Sequence, residues 1–212
     1  MPAAPDPASP AAPPVPSALR PMGRSGNFAA YGFDAAPGAV LFVGRRHEDG
    51  RGVFEETWSR RDFAALGVPE AFVQDNRSRS GAAGTVRGLH FQVPPRAQGK
   101  LVRVVRGAVL DVAVDLRRSS PAYGRHLAVG LDAAEGHQLY IPPGFAHGFC
   151  TLEPDTEVAY KTTEPYAPEL ERCVAWDDPD LALPWPFGPA QAVLSERDRR
   201  ALRFRDLPAC FE

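Results

Sequence analysis

The chain has 212 residues, long enough for one domain with a sizeable buried core. Its 24 Lys and Arg nearly balance its 26 Asp and Glu, for a formal net charge of −2, which argues against a general nucleic-acid or membrane-surface binder and leaves room for a local basic pocket. Cys150, Cys173 and Cys210 are odd in number and lack CxxC spacing, so no disulfide framework or structural zinc is expected and a reducing, cytoplasmic setting fits; no apolar run approaches the roughly 18 residues that span a bilayer.

Residues 1–27 are rich in Pro and Ala with almost no large apolar side chain. Such a segment cannot bury enough surface to offset its ordering entropy, so the expectation is a disordered tail followed by one domain over 28–212. It has neither the charged start nor the continuous apolar stretch of a signal peptide. Strands are predicted at 39–43 and 52–58. A short helix is predicted at 59–66, where Ser59 and Asp62 resemble a capping box and Gly67-Val68-Pro69 stops the helix. The stretch 86–107, VRGLHFQVPPRAQGKLVRVVRG, is apolar and β-branched and reads as strand on both sides of its turn. In 108–116, Leu110, Val112, Val114 and Leu116 share one face, and Asp111, Ala113 and Asp115 the other. Residues 119–124 are a turn. Short strands follow at 126–131, 138–141, 149–152 and 157–163, about ten residues apart, which is the pattern of an antiparallel sandwich or barrel. The last third is loop-rich, with a short helix over 195–202 capped by Ser195.

Two stretches carry chemistry. PPGFAHGF (142–149) is a Pro-Pro-Gly turn followed by His147, and it resembles the second motif of the cupin superfamily, whose fold is a jelly-roll barrel. Metal-binding cupins add an HxH pair and a carboxylate. Here the first half offers only His90 in HFQ, short of the three converging donors a metal needs, so no metal is expected. By strand parity His90 shares a face with Gly88 and Gln92, away from Leu89 and Phe91. A lone histidine there can be a satisfied core residue. Arg87, Lys100, Arg103 and Arg106 on the same strands favour instead an anionic ligand, because unpaired buried cations are costly.

From about 39 to 207 the chain resembles the dTDP-4-dehydrorhamnose 3,5-epimerases, metal-free and cofactor-free cupin-fold enzymes of dTDP-L-rhamnose synthesis. The matching stretches, in order, are EDGRGVFEETW (48–58), FVQDNRSRS (72–80), 86–107, DVAVDLRRSSPAYG (111–124), YIPPGFAHGFCTL (140–152), YKTTEPYAPELE (160–171), WDDPDL (176–181) and LSERD (194–198). The resemblance implies an all-β jelly-roll with a few short helices. It implies His90 as general base oriented by Asp198, Tyr160 as general acid and Lys100 as the cation at the C4 oxygen. It places Arg51, Glu56, Gln74, Asn76, Arg87, His147, Glu171 and Arg197 on nucleotide-sugar contacts and Tyr166 on the thymine. Arg197 stands where the family usually has lysine, which keeps the charge and changes the geometry. It further implies a homodimer in which the strand carrying Arg51 and Glu56 completes the neighbour's pocket.

These residue types suit the reaction implied, inversion of C3 and C5 in dTDP-4-dehydro-6-deoxy-D-glucose. Both protons are acidic because they flank the C4 carbonyl, and inversion needs a base and an acid on opposite faces of the ring. A neutral imidazole can accept a proton near pH 7 and a phenol stays protonated to donate one. A lysine stabilises the enolate oxygen. Other readings stand beside this one. Tyr160 alternates with Val158 and Thr162 as a plain sheet tyrosine would, while Lys161 points the opposite way. Asp177 and Asp178, in a loop expected to be exposed, rival Asp198 as the partner of His90. Arg51 and Glu56 suit a surface ion pair, and Trp58, Trp176 and Trp185 suit packing. Alternative functions are a mono-epimerase of another dTDP-deoxysugar, a metal-dependent cupin and a non-catalytic sugar-binding cupin.

Overall fold

The computed structural model describes residues 19–212. Its strands are β1 (Leu19–Ser25), β2 (Phe28–Phe33), β3 (Val40–Gly44), β4 (Arg46–Asp49), β5 (Gly52–Glu55), β6 (Gln74–Ser80), β7 (Val86–Gln92), β8 (Lys100–Arg106), β9 (Ala108–Asp115), β10 (His126–Asp132), β11 (Gln138–Ile141), β12 (Phe145–Thr151), β13 (Thr156–Thr162) and β14 (Glu171–Cys173). Its helices are α1 (Arg60–Ala65) and α2 (Glu196–Arg199), each a turn or two long. A seven-stranded sheet of order β1-β2-β3-β11-β8-β13-β6 faces a five-stranded sheet of order β10-β9-β12-β7-β14, and β4 and β5 form a separate hairpin.

From β7 onward the chain crosses repeatedly between the sheets, with β7, β9, β10, β12 and β14 in one and β8, β11 and β13 in the other. This is the all-β jelly-roll expected. One apolar cluster, including Leu41, Val102, Val109, Ala113, Val129, Leu139 and Val158, fills the space between the sheets. A second, with Leu89, Phe91, Leu110, Val112, Val114 and Leu116, is covered by C-terminal residues such as Leu181, Phe204 and Phe211. A third holds α1, through Phe63 and Leu66, against Phe28, Val40, Phe42 and Leu101 of the seven-stranded sheet. Each fully buried large side chain contributes roughly 1.5–3 kcal/mol relative to exposure. The alternation read in 108–116 corresponds to these two faces: even-numbered residues pack under the C-terminal segment and odd-numbered ones face the barrel interior.

Several boundaries differ from expectation. Residues 19–27 are not tail: β1 pairs antiparallel with β2, Leu19 opposite Phe33 and Ser25 opposite Phe28, so the ordered sheet begins before residue 28. The strand, LRPMGRS, is exposed along most of its length and its apolar residues do not alternate, which hides it from any hydrophobic pattern. Residues 1–18 of the expected tail lie outside the described residues. β6 was likewise masked, since its sequence QDNRSRS is polar and alternates only in burial. His147 lies within β12 and not in the turn before it, because Phe145 and Ala146 already pair with Asp115 and Val114. The helix at 195–202 is shorter than expected, four residues over 196–199, although Ser195 caps it. Asp178 is buried and not exposed, accepting from the backbone N–H groups of Asp180, Leu181 and Phe204. Asp177 pairs with Arg203, so neither rival carboxylate reaches His90.

Candidate active site

A cavity of about 490 Å³ opens between the sheets and is lined by Ser78, Arg87, His90, Lys100, His147, Tyr160, Arg197 and Asp198, among others. His90 and His147 are cross-strand neighbours on β7 and β12. Tyr160 comes from the opposite sheet, where β13 sets it beside Val102 of β8 and Asn76 of β6.

The register of β7 contains a bulge that decides which side chains meet. His147 pairs with His90 and Phe149 with Arg87, so one intervening residue of β12, Gly148, stands against two of β7, Gly88 and Leu89. Arg87 and His90 therefore face the same cavity despite their odd spacing. The bulge centres on Gly88, at φ +124°, where a Cβ would sit 2.6 Å from Cα of Gly148. Only glycine allows this approach.

His90 Nε2 lies 2.6 Å from Oδ1 of Asp198, whose carboxylate is buried. An acceptor at that distance assigns the proton to Nε2 and leaves Nδ1 as the basic lone pair. Asp198 sits in α2, where Ser195 Oγ accepts from its backbone N–H at 3.1 Å. Parallel bridges of Val193 with Thr85 and of Leu202 with Val174 tie both flanks of α2 to the five-stranded sheet. Burial raises the Asp198 carboxyl most strongly, but the hydrogen bond and charge of His90 outweigh it and hold the group below the ordinary carboxylate range.

Lys100 is buried and its Nζ donates to the backbone oxygen of His90 at 3.2 Å. Burial lowers its ammonium to about 8, against the raising influence of Glu171 and Asp111. Tyr160 has its phenol raised above the ordinary range, chiefly by burial and then by Glu171, so it stays protonated. His147 is buried and donates Nε2–H to both oxygens of Asp111, at 3.0 and 2.9 Å; burial lowers its pKa, with Asp111 opposing. Asp111 carried no expected role, yet its place on the interior face of β9 was the available signal.

Arg197 links the cavity wall to a cluster that does not itself line the cavity: Tyr166 Oη donates to Glu171 Oε2 at 2.6 Å and Arg197 Nη1 donates to the same oxygen at 2.5 Å. Burial raises Glu171 first, but Arg197 and Tyr166 prevail and keep it ionised. The Tyr166 ring is half exposed, free to stack. Gln74 joins this cluster, accepting from the Tyr166 backbone N–H at 3.0 Å and donating to Asn76 Oδ1 at 2.8 Å. Asn76 Nδ2 and Ser78 Oγ are buried without a hydrogen-bond partner. Ser78 continues the 74–76 alternation and went unremarked in the sequence. Arg87 donates to Ser80 Oγ and to the backbone oxygen of Arg79, each at 3.2 Å.

Two expected residues stand apart. Arg51, 92% exposed, pairs with Asp49, and Glu56 accepts from Asn27 Nδ2 at 2.9 Å; they do not pair with each other. Neither lines the His90 cavity of its own chain. Lys161 points to the other face of β13, bonding Asp75 at 2.7 Å beside the Trp58 ring.

The family model for dTDP-4-dehydrorhamnose 3,5-epimerase matches residues 34–206. The chain is 50% identical over 178 residues to a dTDP-4-dehydrorhamnose 3,5-epimerase of Pseudomonas aeruginosa, covering 84% of this chain and 96% of that one. It resembles the crystal structure of a dTDP-4-dehydrorhamnose 3,5-epimerase from Bacillus anthracis with TDP and PPi bound, at TM-score 0.80 and 43% identity, covering 83% of this chain and 99% of that one. It also resembles a Legionella pneumophila dTDP-6-deoxy-D-glucose-3,5-epimerase in complex with dTDP-4-keto-L-rhamnose, at TM-score 0.78 and 38% identity over 91% of this chain and 96% of that one. With the jelly-roll and its interior cavity, these likenesses show that the chain belongs to the dTDP-4-dehydrorhamnose 3,5-epimerase family and is an epimerase in dTDP-rhamnose synthesis.

Proposed function

We propose that the 490 Å³ cavity holds dTDP-4-dehydro-6-deoxy-D-glucose and inverts C3 and C5 by proton transfer between two sheets. His90 Nδ1 takes a proton from the carbon next to the C4 carbonyl. Asp198 stabilises the imidazolium that forms, as the acid of a triad does. Lys100 meets the charge that develops on the C4 oxygen. Tyr160 returns a proton from the opposite face of the ring. Arg87 and Arg197 offer charge to the diphosphate, and Tyr166 offers its exposed ring to the thymine. The observation that carries this reading is the 2.6 Å His90–Asp198 contact in a cavity whose far wall is Tyr160.

The pocket is completed by a second copy of the chain. Support comes from the β4–β5 hairpin, which holds Arg51 away from its own cavity and exposes Val53 and Phe54, the latter 71% accessible. Such a surface on a two-stranded ribbon calls for a cover. Among the described residues no helix is long and apolar enough to cross a membrane. The three free cysteines suit a reducing, cytoplasmic setting.

Nuclear magnetic resonance of dTDP-4-keto-6-deoxyglucose in deuterated water tests the reading. The C3 and C5 protons exchange for deuterium as the L-configured product forms. A substrate that binds and keeps both protons contradicts it.

A further inference from the structure

We infer that His90, Cys173 and Asp198 form a site for a thiophilic divalent cation, with Zn²⁺ the natural candidate, and that the ion inhibits epimerisation by occupying the dyad. The inhibitory half rests on the proposed role of His90; the binding half does not.

Cys173 and His90 are cross-strand partners on β14 and β7, so both side chains lie on one face of the five-stranded sheet. One donor atom from each of the three residues lies within 4.8 Å of the other two. The Sγ of Cys173 is 3.7 Å from Oδ1 of Asp198, and His90 Nε2 is 2.6 Å from that oxygen. Zinc bonds of about 2.0–2.3 Å in tetrahedral array set ligand atoms roughly 3.3–3.8 Å apart. The sulfur–oxygen edge already has this length. The nitrogen–oxygen edge must open, and it opens when an ion replaces the proton that Nε2 now directs at the carboxylate.

The donor set of one nitrogen, one sulfur and one oxygen suits zinc, and it leaves a fourth position for water. Magnesium, which favours oxygen ligands in octahedral array, is not expected to compete. The ion can approach through the main cavity or through a cleft of about 400 Å³ lined by Glu171, Cys173, Arg197 and Leu207. Binding exchanges the thiol proton for the metal and shifts the imidazole tautomer: the thiol proton goes to solvent, the proton leaving Nε2 is replaced by one taken up on Nδ1, the ring stays neutral, and no electron moves. The proton transfers proposed above do not use Cys173, so its sulfur adds metal affinity without adding a step.

Co²⁺ and Zn²⁺ added to the full-length protein provide the test. Co²⁺ should give a near-ultraviolet thiolate charge-transfer band, and Zn²⁺ should give inhibition that EDTA reverses. In Cys173→Ser, and in Cys173→Ala as a second variant, the band should vanish. The Zn²⁺ inhibition constant, measured against each variant's own metal-free rate, should rise at least about tenfold. Cys210→Ser should keep both signals. Absence of the band in the wild-type protein overturns the site without reference to turnover. Unchanged inhibition in both Cys173 variants overturns it as well.

Discussion

His90 and Tyr160 project into one cavity from opposite sheets, His90 from β7 and Tyr160 from β13. A sugar ring between them has a base on one side and an acid on the other. Tyr160→Phe keeps the ring's packing and removes only the proton donor. This variant should still exchange C3 or C5 hydrogen for deuterium, because His90 can return what it removes, while net inversion falls about 10²–10⁴-fold. Equal loss of exchange and inversion would show that Tyr160 is not simply the acid. His90→Ala should lose both and retain nucleotide binding, measured by calorimetry.

Lys100 sets an alkaline limit. Burial lowers its ammonium to about 8, so in the free enzyme the cation is present below that pH and lost as pH rises through it. The enolate loses its counter-charge in the same range, and kcat/KM should fall above about 8. Lys100→Arg keeps its charge throughout. Its absolute rate should drop because the fork differs in shape, but its alkaline limb should disappear. A limb that persists unchanged in this variant assigns it to another group.

Gly88 carries the bulge that turns Arg87 and His90 to the same side. Gly88→Ala must relieve a 2.6 Å approach to Gly148 and a left-handed φ of +124°. The expected cost is on the order of 1–3 kcal/mol of stability, read from denaturant midpoints. The folded fraction should turn over more slowly, since β7 shifts against β12. A variant with wild-type stability and rate would show that the bulge is dispensable.

Arg51 tests the shared pocket. The Arg51→Ala and His90→Ala proteins should each be impaired. Mixed under subunit exchange they should recover activity, because one pocket of each heterodimer then has an intact His90 and an intact partner Arg51. Proven heterodimers without recovery would rule out completion by the neighbour.

The amino-acid sequence by itself determined the architecture and most of the residue types in the site. Period-two alternation in 108–116 and short strands about ten residues apart specify a two-sheet β fold, because burying one face of each strand leaves few other solutions. The motifs around His90, His147, Tyr160 and Asp198 resemble those of the dTDP-4-dehydrorhamnose 3,5-epimerases, and it is that resemblance that points to the chemistry. Tertiary structure decided the rest. Strands such as β1, largely exposed, and β6, wholly polar, owe their existence to partners in the sheet and carry no hydrophobic period of their own. Alternation would set Arg87 and His90 on opposite faces; a backbone approach between Gly88 and Gly148, distant in the chain, reverses that. Three carboxylates competed in the sequence for His90, and only the bridges flanking α2 bring Asp198 to 2.6 Å while the backbone occupies Asp178 and Arg203 occupies Asp177. Strand pattern reports which face a side chain takes; which distant side chain it meets there depends on how the chain crosses between sheets.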